Sequence, residues 1–441
     1  MTVKFQESLP VLLSVAKGNG IPLDGQTTFV RDGAGRLLIA RKEVPNRTDL
    51  EAAIRNALGE YASPVAVVDG VAAERLSIDP SCRIISVLVE GDQVSLRYID
   101  RRFVGADWMS PPASEFVGTK RLVFGSLKGG VGRSTALAIF AADLARDGKK
   151  VLCIDLDLEA PGIGTMLLPP SDDLALDRRP KYGVIDYLIE NGLNGILDEE
   201  LYDFVGVSPF YEGSIDVVPA TGRETDREPK SMIAKLSRAL IEDVKLGNSV
   251  SLTKQVRAMV DRLATRTNYD VVLIDARAGM AEITAATLLG LGAELLFFGT
   301  HQSQTFRGYS YILAHLASLA DHDSGVNWKE RITFVQAKAP SSTSKREPFR
   351  ESLYELCAAH LYDADRIGPD GITVSGTFSP SIGDVGPGVP HDATFIQYHP
   401  DYDAFDPVGD KTQLDAEVYN GPFGSFLRRA WETAGIDRNF S

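Results

Sequence analysis

The chain changes texture at residue 120. Beyond that point short apolar runs at 121–125, 151–155, 214–219, 270–275, 294–299 and 331–336 predict buried strands, and 134–146 carries apolar residues at helical spacing. Strand, loop, helix and strand in succession build a parallel sheet, because parallel neighbours need a crossover connection. The predicted class is α/β, with a doubly wound, mostly parallel sheet. Residues 1–118 read differently, as a small α+β unit. There, strands at 27–30 and 37–40 flank the turn Asp32-Gly33-Ala34-Gly35, and Leu50, Ile54 and Leu58 set one face of a helix over 50–61. Strands at 84–89 and 93–98 flank Glu90-Gly91-Asp92 as a hairpin. Residues 1–18 fit an amphipathic helix better than a cleaved leader, since no small-residue cleavage site follows the apolar stretch.

This pattern divides the chain into 1–118 and 119–441, with Trp108-Met109-Ser110-Pro111-Pro112 reading as a linker near the boundary. Two stretches of the second part stand out. Residues 221–268 predict a helical insert, with Met232, Leu236 and Leu240 on one face and Val256, Met259, Val260 and Leu263 on another. Such stripes indicate core packing. Residues 362–418 are acidic and rich in Gly and Pro; between 362 and 417, eleven Asp and Glu stand against two Lys and Arg. A short helix at 425–434 carries Arg428 and Arg429.

Composition narrows the function. With 44% hydrophobic and 24% charged residues, the 441-residue chain is a folded protein and not a disordered one. Lys plus Arg minus Asp plus Glu is 46 − 60, a net charge of −14, so there is no strong nucleic-acid signal. No run approaches the ~18–20 apolar residues of a membrane span. Cys82, Cys153 and Cys357 form no CxxC pair, which argues against a zinc ribbon or a disulfide framework. The expected location is the cytoplasm.

The sharpest chemical signal is Leu127-Lys128-Gly129-Gly130-Val131-Gly132-Arg133-Ser134-Thr135, set between a predicted strand and a predicted helix. That is the context of a phosphate-binding loop. Glycines let backbone N–H groups converge on phosphate oxygens, and the helix start turns its positive end toward the anion. Ser134 supplies a hydroxyl suited to Mg²⁺. The usual first glycine is Leu127 and the usual lysine is Arg133, a rigid planar fork in place of a point charge. Downstream, Cys153-Ile154-Asp155-Leu156-Asp157 and Tyr269-Asp270-Val271-Val272-Leu273-Ile274-Asp275 each carry apolar strands to carboxylates at the sheet's C-terminal edge.

On these residues the segment 120–398 resembles the deviant Walker A (SIMIBI-class) ATPases of the ParA/MinD-like kind, and the arginine makes it similar to their KGGVGR-motif variants. The resemblance implies a P-loop NTPase fold, ATP and Mg²⁺ as ligands, and a homodimer that sandwiches nucleotide. By position, Lys128 would reach across that dimer. Arg133 would neutralise charge on the phosphates, and Gly129, Gly130, Val131, Gly132 and Thr135 would complete the cradle. Ser134, Asp155 and Asp275 would manage Mg²⁺, and Asp157 would orient water. Residues 214–220 resemble the family's strand before switch II. After Asp275 the family's prolines are replaced by Ala276-Arg277-Ala278, while Gly279 is kept; Arg277 is a candidate arginine finger.

Other constellations are weaker. The histidines show no HExxH spacing, and His391-Asp392 and His399-Pro400-Asp401 read as hydrogen-bonding loop residues. Tyr398, Tyr402 and Tyr419 are too scattered for a bacterial-type tyrosine kinase tail. The resulting expectation is an ATPase acting as a nucleotide-controlled dimer switch for an unidentified protein partner. The alternative is a nucleotide sensor or scaffold with little hydrolysis, which family analogy sets in bacterial conflict with phage.

Overall fold

A computed structural model describes residues 3–102, 104–171, 173, 177–245, 248–319, 328–363, 366–367, 373–374 and 378–438. The chain forms two compact units, Met1–Ala106 and Asp107–Ser441.

The first unit contains α1 (Phe5–Gly18), β1 (Thr28–Arg31), β2 (Leu37–Ala40), α2 (Arg47–Leu58), β3 (Ala62–Val68), α3 (Gly70–Ser77), β4 (Arg83–Val89) and β5 (Asp92–Asp100). Among the described residues its strands form one five-stranded sheet in the order β3-β2-β1-β5-β4. Parallel pairings of β1 with β5 and β2 with β3 are mixed with antiparallel hairpins. Leu12, Leu13 and Ala16 of α1 and Leu50, Ile54 and Leu58 of α2 bury their faces against Phe29, Ile39, Val67 and Leu96 of the sheet. Helical and strand periodicities thus meet in one core.

The second unit opens with β6 (Lys120–Ser126), α4 (Arg133–Arg146), β7 (Val151–Leu156), α5 (Ile163–Leu167), α6 (Val184–Leu193), β8 (Gly206–Val207) and β9 (Ile215–Val218). There follow α7 (Arg223–Arg227), α8 (Met232–Ala239), a hairpin of β10 (Asp243–Lys245) and β11 (Asn248–Val250), α9 (Leu252–Ala264), β12 (Val271–Ala276), α10 (Glu282–Gly290) and β13 (Glu294–Gly299). The last part holds α11 (Ser303–Leu319), β14 (Ile332–Ala339), α12 (Thr343–His360), the short ladder β15 (Arg366–Ile367) and β16 (Thr373–Val374), β17 (Thr394–Gln397) and α13 (Ala416–Ala434).

Eight of these strands, counted among the described residues, form one sheet in the order β17-β14-β13-β6-β12-β7-β9-β8, with only β8 antiparallel to its neighbour. Alternate strand residues feed two cores. Val123, Leu152, Ile154, Val272 and Ile274 face one layer of helices, whereas Leu122, Phe124, Val151, Cys153 and Leu273 face the other. This is the doubly wound α/β architecture, and burial on both faces explains the unbroken apolar runs in the sequence. Successive strands lie on opposite sides of β6, so the crevice for ligands opens at the C-terminal end of β6.

Several segments differ from their sequence reading. Residues 107–116 are no free linker. Trp108 is buried, its Nε1 donates to the carbonyls of Met280 and Ala281 at 3.2 Å each, and Asp107 accepts from the backbone N–H of Thr253. The segment that reads as a linker packs against the second unit, with Ala113 and Phe116 donating their N–H groups to the carbonyls of Leu289 and Gly292. The stretch 221–268 includes the β10–β11 hairpin, and its α9 is a full sheet-covering helix with Val256, Met259, Val260 and Leu263 buried. Part of the acidic segment 362–418 lies outside the described residues; of the rest, β17 joins the sheet beside β14. His391 hydrogen-bonds the Tyr362 hydroxyl, and Asp392 accepts from Arg429. No helix of the described residues is long and apolar enough to cross a membrane.

The helix that carries the phosphate loop is apolar on all sides, with every residue from Ala136 to Ala145 buried. Its one buried acid, Asp143, is held by the chain's end: Tyr419 Oη at 2.8 Å, Trp431 Nε1 at 2.7 Å and Arg438 Nη2 at 2.7 Å, with Arg146 alongside. Burial pushes the Asp143 carboxyl up, but the donors from Trp431, Tyr419 and Arg146 outweigh it and hold the group below its ordinary value. Its contribution to stability is therefore complete above about pH 4 and disappears as pH falls through the depressed folded value. Asp143→Ala is expected to cost the second unit about 3 kcal/mol in urea unfolding at pH 7. Repeating the comparison at progressively lower pH should shrink that difference.

Candidate functional site

β6 ends at Ser126, and residues 127–132 turn the chain into α4. Gly130 (φ +73°) and Gly132 (φ +80°) adopt left-handed backbone that a side chain would strain. A Cβ placed on Gly129, Gly130 or Gly132 would meet no atom within 4 Å. The loop therefore opens onto free space at the helix N-terminus, where the first-turn N–H groups lack intrahelical acceptors. These features fit a polyphosphate.

Arg133, the first residue of α4, points away from that opening. Its side chain is only 7% exposed. Nε donates to Asp275 Oδ1 at 2.6 Å, Nη1 to Ser126 Oγ at 2.9 Å and Nη2 to Asp157 Oδ2 at 2.7 Å. Burial works against the charged guanidinium, yet the Asp275 and Asp157 carboxylates more than compensate and raise its proton affinity. Ser134 Oγ donates to the other Asp275 oxygen, Oδ2.

The parallel register sets Asp155 of β7 directly beside Asp275 of β12. Both are completely buried. Burial and the neighbouring Asp275 charge push the Asp155 carboxyl far above the carboxylate range. Backbone N–H groups of Asp157, Gly162 and Ile163 donate to its two oxygens, so Asp155 organises the loop into α5. Burial also raises Asp275, opposed by Arg133 and Ser134.

Lys128 is exposed, and its Nζ donates to Gln302 Oε1 at 3.0 Å. Arg277 lies on the loop after β12 and pairs with Glu159. Gly279 of that loop donates its N–H to the Ser126 carbonyl at 3.0 Å, and Trp108 holds the next two carbonyls. Lys128, Gly279, Met280 and Tyr311 line a cavity of about 220 Å³ beside the phosphate loop. A larger hollow of about 710 Å³ lies near Lys120, Glu294 and Arg331, where the strands begin, and contains none of the loop residues.

The structure thus gathers Arg133, Ser134, Asp155, Asp157 and Asp275 into one buried cluster under an open glycine loop. Lys128 and Arg277 remain outside it. Sequence reasoning missed Ser126, Glu159, Gln302 and Trp108. Ser126 and Glu159 adjoin the motifs and invited a polar role. Gln302 and Trp108 reach the site only through the sheet order and the packing of residues 107–116.

A family model described as the CobQ/CobB/MinD/ParA nucleotide binding domain matches residues 122–294. Over 72 residues the chain is 38% identical to the nitrogenase iron protein of Methanococcus voltae. That match covers 16% of this chain and 26% of the relative, so the chain spans about a quarter of that protein's length. The ParA family ATPase of Chlorobium tepidum is similar at 16% identity and a TM-score of 0.43, over 73% of this chain and all of the other. A chain of the MinC:MinD cell division protein complex of Aquifex aeolicus gives 16% identity and a TM-score of 0.42, over 73% of this chain and 98% of the other. Over residues 122–294 the chain is thus similar to the CobQ/CobB/MinD/ParA nucleotide binding domain, which supports a ParA/MinD-like P-loop fold for that segment.

Proposed function

We propose that the chain is an ATP- and Mg²⁺-dependent conformational switch whose slow hydrolysis of the β–γ bond regulates a protein partner. One observation carries this reading: an open glycine cradle sits over a buried Arg133 that grips both Asp157 and Asp275. In it, residues 129–135 hold the phosphates through backbone N–H groups. Lys128, exposed at the cradle's edge, reaches the phosphates of a second copy, so nucleotide closes a homodimer. Ser134 is the residue to hold Mg²⁺; its hydroxyl proton goes to Asp275, which leaves oxygen lone pairs for a cation. Mg²⁺, when bound, offsets charge that develops on the transferred phosphoryl oxygens.

Asp157 orients the attacking water. In the present geometry Asp157 Oδ2 accepts from Arg133. The group that must place water is thus engaged by the residue standing where a lysine usually stands, which supports slow intrinsic turnover. The loop 276–281 is the segment that responds to the γ-phosphate, since Gly279 already bonds the end of β6. Closing and opening of that loop is the output a partner reads.

A second reading is a sensor that binds ATP and barely hydrolyses it. It is favoured by the fact that Nε, Nη1 and Nη2 of Arg133 all have protein acceptors. Turning the fork toward a phosphate breaks a buried ion cluster.

Steady-state ATP turnover with Mg²⁺ separates these readings. Lys128→Ala should lower turnover about 100-fold while ATP affinity changes little, because the interaction belongs to the transition state. Arg133→Lys, too short to hold three acceptors, should release Asp157 and raise turnover at least about tenfold. Tight ATP binding without turnover in both the native chain and Arg133→Lys would establish the sensor instead. Arg133→Ala strands two buried carboxylates and should lower the unfolding free energy by about 3 kcal/mol in urea titration.

A further inference from the structure

The two edges of the five-stranded sheet are treated differently. On one edge, β3 carries Pro64, and its pairing with β2 shifts register between Leu37 and Ile39. Proline and irregular pairing are the usual means of blunting an edge against further strands. The opposite edge, β4, has neither. Its sequence Arg83-Ile84-Ile85-Ser86-Val87-Leu88-Val89 pairs with β5 through all seven residues without a break. Among the described residues no other strand pairs with it.

The side chains of β4 are unfinished on both faces. Outward, Ile84 and Leu88 are 66% and 68% exposed. On the helix side, Ile85 and Val87 join the core but stay half-buried, because the sheet ends there. At about 3.4 Å per residue the strand offers an edge about 24 Å long.

We infer that β4 pairs with β4 of a second copy of this chain, antiparallel about a two-fold axis at Ser86. The strand's own sequence selects this occupant. In that register Ile84 faces Leu88 of the partner copy on the outer side, and Ile85 faces Val87 of the partner copy on the inner side. Ser86 faces Ser86 across the axis. A shift by two residues sets Ser86 opposite an aliphatic side chain and breaks the outer pair of Ile84 with Leu88. Charge agrees with the same register. Arg83, in no ion pair among the described residues, comes next to the turn at Glu90 of the partner copy, where Glu90 and Asp92 outnumber the one cation, Lys17, that pairs with Glu90 at 2.9 Å. The two-fold makes the contact occur twice, as an isologous interface requires. The two sheets become one, and the half-buried Ile85 and Val87 enter a continuous core.

This pairing holds two copies together without nucleotide and is independent of any dimer closed by Lys128. Sedimentation velocity of the full chain in EDTA, with no nucleotide, tests it. The native chain should sediment as two copies. Ser86→Lys sets like charges directly opposite at the axis and should raise the dissociation constant at least about tenfold, giving single chains. Ser86 is exposed, so the thermal midpoint of isolated chains should stay unchanged. An equimolar mixture of Ser86→Lys and Ser86→Glu should restore the two-copy species. A native chain that remains single, a dimer indifferent to Ser86→Lys, or a mixture that stays dissociated would each overturn the pairing.

Discussion

A buried guanidinium must find acceptors for its fork, and Arg133 finds three. That requirement fixes much of the second unit's central geometry. Asp275 lies near the end of β12 and Asp157 just past the end of β7, two neighbouring strands that run parallel with Asp275 level with Asp155. The same register crowds two carboxylates, and the crowding is relieved in two ways. Arg133 and Ser134 donate to Asp275, whereas Asp155 turns to the backbone N–H groups that lead into α5. The cation is thus a structural keystone beneath the glycine loop, with its charge turned inward.

Much of this was legible in the sequence, for a definite reason. Strands buried on both faces are continuous apolar runs, so β6, β7, β12 and β13 stand out without any alignment. The glycine loop and the carboxylates that end these strands follow from the same runs. The direction of Arg133 did not follow. A sequence places it after Gly132 but does not say whether the fork faces the loop or the sheet; that depends on the lateral order of β6, β12 and β7. Trp108 is a related case. Its segment reads as a linker, and only tertiary packing decides that it lies against the loop after β12.

Two helices of the second unit hold a proline inside them. In α12 the buried residues Phe349, Leu353, Leu356 and Cys357 follow helical spacing, although Pro348 and charged residues interrupt the apolar pattern. In α13 the Gly421-Pro422 pair and Gly424 suggest a loop, and the helix nevertheless begins at Ala416. There Tyr419, Phe423, Phe426 and Trp431 bury against α4 and the sheet, and packing overrides propensity. The first unit obeys the same physics on a smaller scale. Two amphipathic helices close one face of a mixed sheet, and the treatment of its edges distinguishes β3 from β4.

The clamp on Asp143 has a consequence for how the molecule is made. Asp143 lies in the helix that begins at the phosphate loop, but Tyr419, Trp431 and Arg438 follow it by 276, 288 and 295 residues. A chain emerging from a ribosome exposes the glycine loop long before its clamp. Until α13 is released, α4 carries an acid without these partners on a face meant for the core. The clamp on the helix of the phosphate loop therefore closes only once residues 419–438 have been made. Partly made chains, with the loop in hand but the clamp missing, lack the support that the finished site relies on.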